Sequence, residues 1–184
     1  MELQTYSSAP KKGEFELNDD AYAAFAFLDT LGISYTWTAH EALATMEACQ
    51  LVDEHLGFSI CKNLFLCNRQ ATEFYLLLMP ADKPFKTKFL SKELCVARLS
   101  FATSEQLYEH LHLTPGSVSV LGLLSDKEKR VHLVIDRELL GSAMFGCHPC
   151  DNRATVAMTT NDFVNSLLSA LGYTVTYVTL PIEE

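Results

Sequence analysis

The chain has no apolar run that approaches the roughly 18 residues a helix needs to span a membrane. Its first residues, MELQTYSSAPKKGEFELNDD, have no apolar core behind their basic side chains, which argues against a secretory leader. We therefore expect a soluble cytoplasmic protein with no membrane partner. Because thiols stay reduced in that compartment, we expect the six cysteines to be free.

Positive charge is scarce as well. Fourteen Lys and Arg residues against 23 Asp and Glu residues leave a formal net charge of −9. This argues against DNA as a partner, because binding through bulk positive charge needs Lys and Arg at the surface. Residues 83–98, KPFKTKFLSKELCVAR, depart from this balance with five basic side chains and one acid. Charge patterning leaves two interpretations of this segment open, a solvated helix face and a local basic patch.

Several catalytic signatures are missing. The chain contains no GxSxG nucleophile elbow, no phosphate-binding P-loop and no GxGxxG dinucleotide motif. What it does contain is the stretch AMFGCHPCDNRAT, residues 143–155, which places Cys147, His148 and Cys150 within four positions. This stretch can be interpreted as a thiol redox motif, as half of a metal site or as the wall of a substrate pocket.

The context of this stretch favours the pocket wall. A redox motif needs its first cysteine at a helix N-terminus, whereas Cys147 ends an apolar strand. A zinc site would have at most three ligands here, since no second CxxC or HxxxH pair completes a tetrahedron. We therefore expect neither a metal nor a cofactor, and a pocket built from loops that holds an ester and a water in place.

The patterns of apolar residues and caps predict an α+β protein. Helices are predicted from Asn18 or Asp19 to Leu31, from Thr45 to His55, from Lys86 to Leu94, over TSEQLYEHL with Thr103 or Ser104 as cap, and over TNDFVNSLLSALG. Strands are predicted over SYTWTAH, CKNLFLCN, TEFYLLLMP, VARLSF, GSVSVLGLL, RVHLVID, GSAMFGC, RATVAMT and YTVTYVTL. Because helices and strands do not alternate strictly, we expect one domain over residues 18–184, with a mixed, mostly antiparallel sheet and surrounding helices. Residues 1–17 are expected to form a loose N-terminal extension.

Three motifs together resemble a known family. CKNLFL at 61–66, PGSVSVLGLL at 115–124 and HPCDNRAT at 148–155 are similar, in order and spacing, to the prolyl-tRNA editing domains. That family comprises the YbaK-like trans-acting deacylases and the editing insertion of bacterial prolyl-tRNA synthetase. The resemblance covers about residues 18–180, and the HPxxNxAT form is most similar to the free-standing alanyl-tRNA(Pro) deacylases.

The resemblance implies a mixed α/β fold and hydrolysis of the ester that joins a wrong amino acid to the terminal adenosine of tRNA(Pro). By position, the family's catalytic group corresponds to Lys62, Gly116 and His148. The resemblance places substrate binding at Ser117, Val118, Ser119, Asn152 and Thr155. The partners it implies are tRNA(Pro) mischarged with alanine and, secondly, prolyl-tRNA synthetase. The basic segment is then the expected contact for the acceptor end of the tRNA, through Lys83, Lys86, Lys88 and Lys92.

The residues themselves leave alternatives open. A lysine in an apolar strand is costly to bury unless it meets an anion, such as a terminal phosphate or an oxyanion, but Lys62 can also extend to water from an edge strand. The loop PGSVS can present backbone N–H groups to an oxyanion, or can be an ordinary turn. His148 can be a substrate contact or a structural histidine bound to the backbone.

Two positions depart from the family pattern. The family loop reads Gly-x-x-x-Pro, but Val120 stands at the proline position, and Cys147 stands where an aromatic residue usually precedes the histidine. If these changes enlarge the pocket, cysteinyl-tRNA(Pro) becomes the favoured substrate. A non-catalytic homologue that binds aminoacyl-tRNA or a synthetase is the alternative from a different functional class.

Overall fold

The computed structural model describes residues 3–43 and 46–182, and there nine strands form two sheets. The four-stranded sheet is antiparallel and has the order β1 (Gln4–Tyr6), β2 (Tyr35–Ala39), β8 (Ala154–Thr159), β7 (Met144–Cys147). The five-stranded sheet has the order β5 (Ser100–Phe101), β3 (Lys62–Cys67), β4 (Phe74–Met79), β6 (Val131–Asp136), β9 (Val175–Val178). It is antiparallel from β5 to β4 and parallel from β4 to β9. The predicted α+β class with mixed, mostly antiparallel sheets is confirmed.

The helices follow the predicted caps. They are α1 (Asp19–Thr30), α2 (Met46–Leu56), α3 (Thr87–Glu93), α4 (Ser104–Leu111), and a last helix made of α5 (Thr160–Asp162), a π-helical segment (Phe163–Leu168) and α6 (Ser169–Leu171). Asn18 caps α1, because its side-chain oxygen accepts a hydrogen bond from the N–H of Ala21 at 2.8 Å. Thr103 and Gln106 form a reciprocal capping box at the start of α4. Thr45, the predicted start of the second helix, lies outside the described residues.

Strand β4 separates two apolar cores. All six of its residues are buried, which explains why its sequence is a continuous apolar run rather than an alternating one. Its even-numbered residues, from Phe74, belong to the large core that also contains residues of α1, α4 and the four-stranded sheet. Its odd-numbered residues, from Tyr75, pack in a smaller core with Leu90 of α3. Helix α3 therefore covers the face of the five-stranded sheet that points away from the other sheet.

Two predicted strands are corrected. GSVSVLGLL is a loop followed by a 3-10 helix, Val120–Leu124, capped by the Ser119 hydroxyl. Its residues 120–123 are all buried, so the segment has no solvent-facing side to produce the alternation of a surface strand. Only the last two residues of VARLSF pair with β3, as β5.

The N-terminal segment is packed rather than loose. Strand β1 pairs with β2, and the Tyr6 ring stacks on Trp37 at 4.7 Å between centroids. Phe15 meets the same indole edge-on at 4.9 Å, and the indole N–H of Trp37 donates to the carbonyl of Ser8 at 2.8 Å. The first residues described thus complete the edge of the four-stranded sheet.

Candidate functional site

The turn between β7 and β8 carries His148. Its Nδ1 lies 2.9 Å from the backbone carbonyl oxygen of Ala154. Because a carbonyl oxygen can only accept, Nδ1 carries the proton and Nε2 keeps its lone pair. Burial lowers the pKa of His148, and the neighbouring His40 acts in the same direction, against the bond to Ala154. The imidazole is therefore neutral at pH 7, with one nitrogen able to accept a hydrogen bond.

A second histidine, His40, lies beside it. The His40 ring stands 6.2 Å from the His148 ring, and its Nδ1 bonds the carbonyl oxygen of Glu41 at 2.8 Å. Nε2 is then the acceptor for the hydroxyl of Thr155, 2.9 Å away. Burial also lowers the pKa of His40. Thr155 is fully buried in this arrangement, so it is positioned to hold His40 rather than to touch a bound molecule directly.

The loop before the 3-10 helix meets the same turn. Gly116 has φ +89°, and a Cβ built on it would lie 3.4 Å from Nδ2 of Asn152. The backbone conformation favours glycine here, and Asn152 lies at ordinary contact distance from it. Ser117 closes the turn, since its N–H donates to the carbonyl of Thr114 at 3.0 Å and its hydroxyl donates there at 2.8 Å. The structure thus brings Gly116 and Asn152 together, as the sequence predicts for one pocket.

A cleft of about 300 Å³ opens between these elements, at the lower end of the range for small-molecule sites. Its lining residues are Asn18, Ala42, Thr114, Ser117, Asp151, Asn152 and Arg153. A wider cleft of about 470 Å³ adjoins it, and the two share Ala42 and Arg153. Val118 is half-buried, while Ser119 is fully buried as the cap of the 3-10 helix. Ser119 is therefore positioned to support the loop and has no surface to offer a substrate.

Asp151 bonds residues on two sides of the cleft. Its carboxylate accepts two side-chain hydrogen bonds from Arg153, at 2.8 and 3.0 Å, and one from the backbone N–H of Asn18 at 2.9 Å. The Asn18 amide in turn donates to the carbonyl of Cys150, so the start of α1 is bound to this turn. Burial disfavours the charged form of Asp151, but these hydrogen bonds outweigh it and lower its pKa.

The Asp151 contacts predict a pH-dependent stability. A carboxylate whose pKa is lower in the folded chain than in the unfolded chain contributes its full stabilisation above the unfolded pKa of about 4, and loses it as the pH falls through the folded pKa. We expect the gap in unfolding free energy between the wild type and Asp151→Asn to be constant from about pH 8 to 5.5 and to narrow below about pH 4. Urea unfolding across this range measures it. Glu109→Gln, an exposed carboxylate on α4, is the control; a gap that persists undiminished at about pH 3 contradicts the assignment.

The cysteines of the CHPC stretch are core residues. Cys147 and Cys150 are 1% and 5% exposed. Burial raises the pKa of Cys147 to about 12, against the effect of the Ser119 side chain, and burial also raises the pKa of Cys150. Neither thiol ionises near pH 7, so neither is suited to nucleophilic attack. Among the described residues, no three His, Cys, Asp or Glu side chains are grouped as metal ligands would be.

Lys62 is in β3 of the five-stranded sheet, whereas His148 follows β7 of the four-stranded sheet. Residues two apart in a strand point to the same face of the sheet, so Lys62, Leu64 and Leu66 share a face. Leu66 packs in the smaller core under α3, so Lys62 is on the α3 face of the five-stranded sheet. Its ammonium donates to the backbone carbonyl of Lys83 at 2.7 Å. Burial lowers the pKa of Lys62, and the charge of Asp82 opposes this shift. The backbone joins β3 to the strand before the His148 turn, because the N–H of Cys61 donates to the carbonyl oxygen of Gly146 at 3.2 Å.

The basic segment divides into two kinds of lysine. Lys86, Lys88 and Lys92 are exposed. Lys83 is buried, with its ammonium 2.8 Å from the Asp136 carboxylate and 2.7 Å from that of Glu138. Burial disfavours its charge, but these two partners outweigh it and raise the pKa of Lys83. Its charge is already satisfied, and we leave Lys83 out of the proposed tRNA contact.

Sequence reasoning missed His40, Asn18, Asp151 and Arg153. For His40, the sequence offers only a single histidine at the end of a strand. The DNR within HPCDNRAT is a local signal for the pair of Asp151 and Arg153, because residues two apart in a tight turn can bond. The contact of Asn18 with this turn joins residues 132 positions apart and has no local signature.

Comparison with known proteins gives consistent results. The family model of the aminoacyl-tRNA editing domain matches residues 40–165. A prolyl-tRNA editing protein of Acetoanaerobium sticklandii is 35% identical over 156 residues, 85% of this chain and 94% of that protein. A prolyl-tRNA synthetase associated domain-containing protein of Danio rerio is 34% identical over 143 residues, 77% of each chain. The crystal structure of a proposed trans-editing enzyme for prolyl tRNA synthetase shares the fold, with a TM-score of 0.66 at 18% identity over 90% of this chain and all of that one.

Proposed function

The chain belongs to the aminoacyl-tRNA editing domain family, and from that premise we propose that it hydrolyses alanyl-tRNA(Pro) in trans. The observation that carries this proposal is the Gly116 turn set against Asn152 beside the small cleft. A turn of this kind supports an ester carbonyl with backbone N–H groups, which is the largest single contribution in many acyl-transfer sites. The neutral His148, four residues before Asn152 in the chain, adds a hydrogen-bond acceptor.

The proposed reaction uses water as the nucleophile. Water attacks the carbonyl carbon of the alanyl ester, the bond from that carbon to the 3′ oxygen breaks, and the 3′ oxygen leaves with a proton. The products are alanine and tRNA with a free 3′ hydroxyl. The N–H of Ser117 is used within the turn, so Gly116 and Val118 are the loop residues proposed to hold the developing oxyanion. His148 Nε2 is proposed to accept a hydrogen bond from the substrate's amino group or ribose hydroxyl.

The burial of Val120 and Cys147 supports alanine, rather than cysteine, as the amino acid that is removed from the tRNA. Val120 and Cys147, the two departures from the family pattern, are 0% and 1% exposed and are packed in the large core. Neither contributes to the wall of the cleft beside Gly116. A synthetase site that holds proline discriminates against a smaller side chain by only about 1–3 kcal/mol, which is the reason a second, smaller site is useful.

The position of Lys62 supports a phosphate, rather than an oxyanion in the cleft, as the anion that this lysine binds. Its side chain is on the α3 side of the sheet, together with the exposed basic residues, rather than among the residues lining the cleft. We assign Lys62 to the phosphate next to the terminal adenosine. A partly buried ammonium with one backbone partner keeps two N–H groups for this contact.

A deacylation panel tests the proposal. We expect the purified protein to release alanine from Ala-tRNA(Pro) at least about tenfold faster than proline from Pro-tRNA(Pro), with Ser- and Cys-tRNA(Pro) measured in parallel. Equal rates on the alanyl and prolyl substrates overturn the editing assignment. Faster release of cysteine transfers the assignment to Cys-tRNA(Pro), and binding without hydrolysis of any substrate identifies a non-catalytic homologue. Repeating the panel with prolyl-tRNA synthetase added tests that protein as a partner.

A further inference from the structure

An exposed aromatic residue lies within the basic surface. We call the set Lys86, Lys88, Lys92, Arg98 and Phe101 the α3–β5 surface. All five residues are exposed, and Phe101 is 58% exposed. Phe101 is in the edge strand β5, so it is not covered by a further strand of this sheet. An exposed aromatic ring within a basic surface is an arrangement on which nucleic-acid bases can stack.

Lys62 lies on the same face of the five-stranded sheet as Phe101. Phe101 is the direct partner of Leu66 across β3 and β5, so the two side chains share a face of the sheet. Lys62 is on the same face, four residues earlier in β3. At about 3.3 Å per residue, Phe101 is roughly 13 Å from Lys62 along the strand. A nucleic-acid strand of a few nucleotides spans this distance, at about 3.4 Å per nucleotide.

The Phe101 ring has an aromatic neighbour, Phe85. Phe85 contacts it edge-on, with 6.0 Å between ring centroids and 70° between planes. An edge-on neighbour leaves a face of the Phe101 ring open to a stacking partner. Nearby, the Lys88 ammonium lies 4.6 Å from the centre of the Phe89 ring. Rigid aromatic faces combined with Lys and Arg are the arrangement that proteins use for single-stranded nucleic acid.

We propose that the α3–β5 surface binds the unpaired 3′ end of the substrate tRNA, with one base stacked on Phe101 and phosphates held by the surrounding Lys and Arg side chains. This inference rests on the proposed function for the identity of the RNA. Charge complementarity selects this occupant, because four exposed basic side chains and an exposed aromatic ring fall within residues 86–101 of a chain whose net charge is −9.

Binding of uncharged tRNA(Pro) tests the inference independently of hydrolysis. We expect Phe101→Leu, which keeps an apolar contact to Phe85 but has no ring, to raise Kd by roughly 5- to 100-fold, and Phe101→Trp to bind within about threefold of the wild type. Tyr108→Ala is the matched control, since Tyr108 is 57% exposed on α4, outside this surface. An unchanged Kd for Phe101→Leu overturns the proposal.

Salt dependence tests the charged part of the surface. The double variant Lys86→Glu, Lys88→Glu is expected to lower the slope of log K against log salt concentration by roughly two, since each lost phosphate contact lowers it by about one.

Hydrolysis separates this inference from the proposed function. With the alanyl ester of adenosine as substrate, Phe101→Leu is expected to retain the wild-type rate; a wild type that hydrolyses no alanyl ester contradicts only the proposed function. If Phe101→Leu weakens binding to prolyl-tRNA synthetase and leaves the tRNA Kd unchanged, the surface is a protein interface and the inference is wrong.

Discussion

Replacing Lys62 by alanine is expected to lower kcat/KM for Ala-tRNA(Pro) roughly ten- to a hundred-fold, because a charge-assisted contact to phosphate contributes about 1.5–3 kcal/mol. The substitution also removes the bond from the ammonium to the carbonyl of Lys83. That bond is at the sheet surface, so we expect the fold to persist. Single-turnover deacylation over a range of protein concentrations measures the change and separates binding from the chemical step.

Two further variants sharpen the Lys62 experiment. Lys62→Arg keeps a positive charge and is expected to recover part of the lost activity, whereas Lys62→Met keeps only the apolar stem and is expected to resemble alanine. Lys12→Ala removes an exposed charge paired with Asp19 and is expected to leave the rate unchanged. Near-normal kcat/KM in a folded Lys62→Ala protein shows that the ammonium contacts no phosphate and only bonds the carbonyl of Lys83.

Replacing Lys83 by methionine is expected to lower the free energy of unfolding by about 3–5 kcal/mol, the usual cost of leaving one member of a buried ion pair alone. Asp136 is 0% exposed, and its carboxylate lies 2.8 Å from the Lys83 ammonium. Methionine fills a similar volume, so the loss reports the uncompensated charge of Asp136 rather than a cavity. Urea unfolding at pH 7, with the slope checked for constancy, measures it.

The double variant Lys83→Met, Asp136→Asn isolates the cause. Asparagine removes the charge but keeps a side-chain oxygen for the N–H of Glu138, which the Asp136 carboxylate accepts at 3.1 Å in the native protein. We expect this double variant to be more stable than Lys83→Met alone. Glu138→Gln is the matched control, since the Glu138 side chain is 52% exposed and its replacement leaves the Lys83 ammonium paired with Asp136, so we expect a loss of at most about 1 kcal/mol. A loss below about 1 kcal/mol in Lys83→Met would mean that water reaches the pair.

Features that depend on a few consecutive residues could be predicted from the sequence. The caps at Asn18 and Thr103 were predicted correctly, because a capping side chain bonds an N–H only two or three positions away. The apolar run of β4 was predicted as a strand, and the structure shows that both of its faces are covered. The three motifs that indicated the family are contiguous stretches, and the family is confirmed. The resemblance assigned Gly116 and Asn152 to the site separately, and their proximity to each other is visible only in the fold.

Other features depended on partners that lie far apart in the chain. Lys83 and Lys86 belong to one basic run, but the fold places Glu138, 55 positions later, against Lys83 and leaves Lys86 in water. His40 has its role beside the cleft only because β2 pairs with β8 and brings Thr155 to it from 115 positions away. The segment 120–124 has the composition of a strand, but it forms a 3-10 helix whose start is capped by the Ser119 hydroxyl. Composition and spacing determine which local conformations are accessible, whereas the burial of a charge and the partner of a side chain are decided only when distant elements pack together.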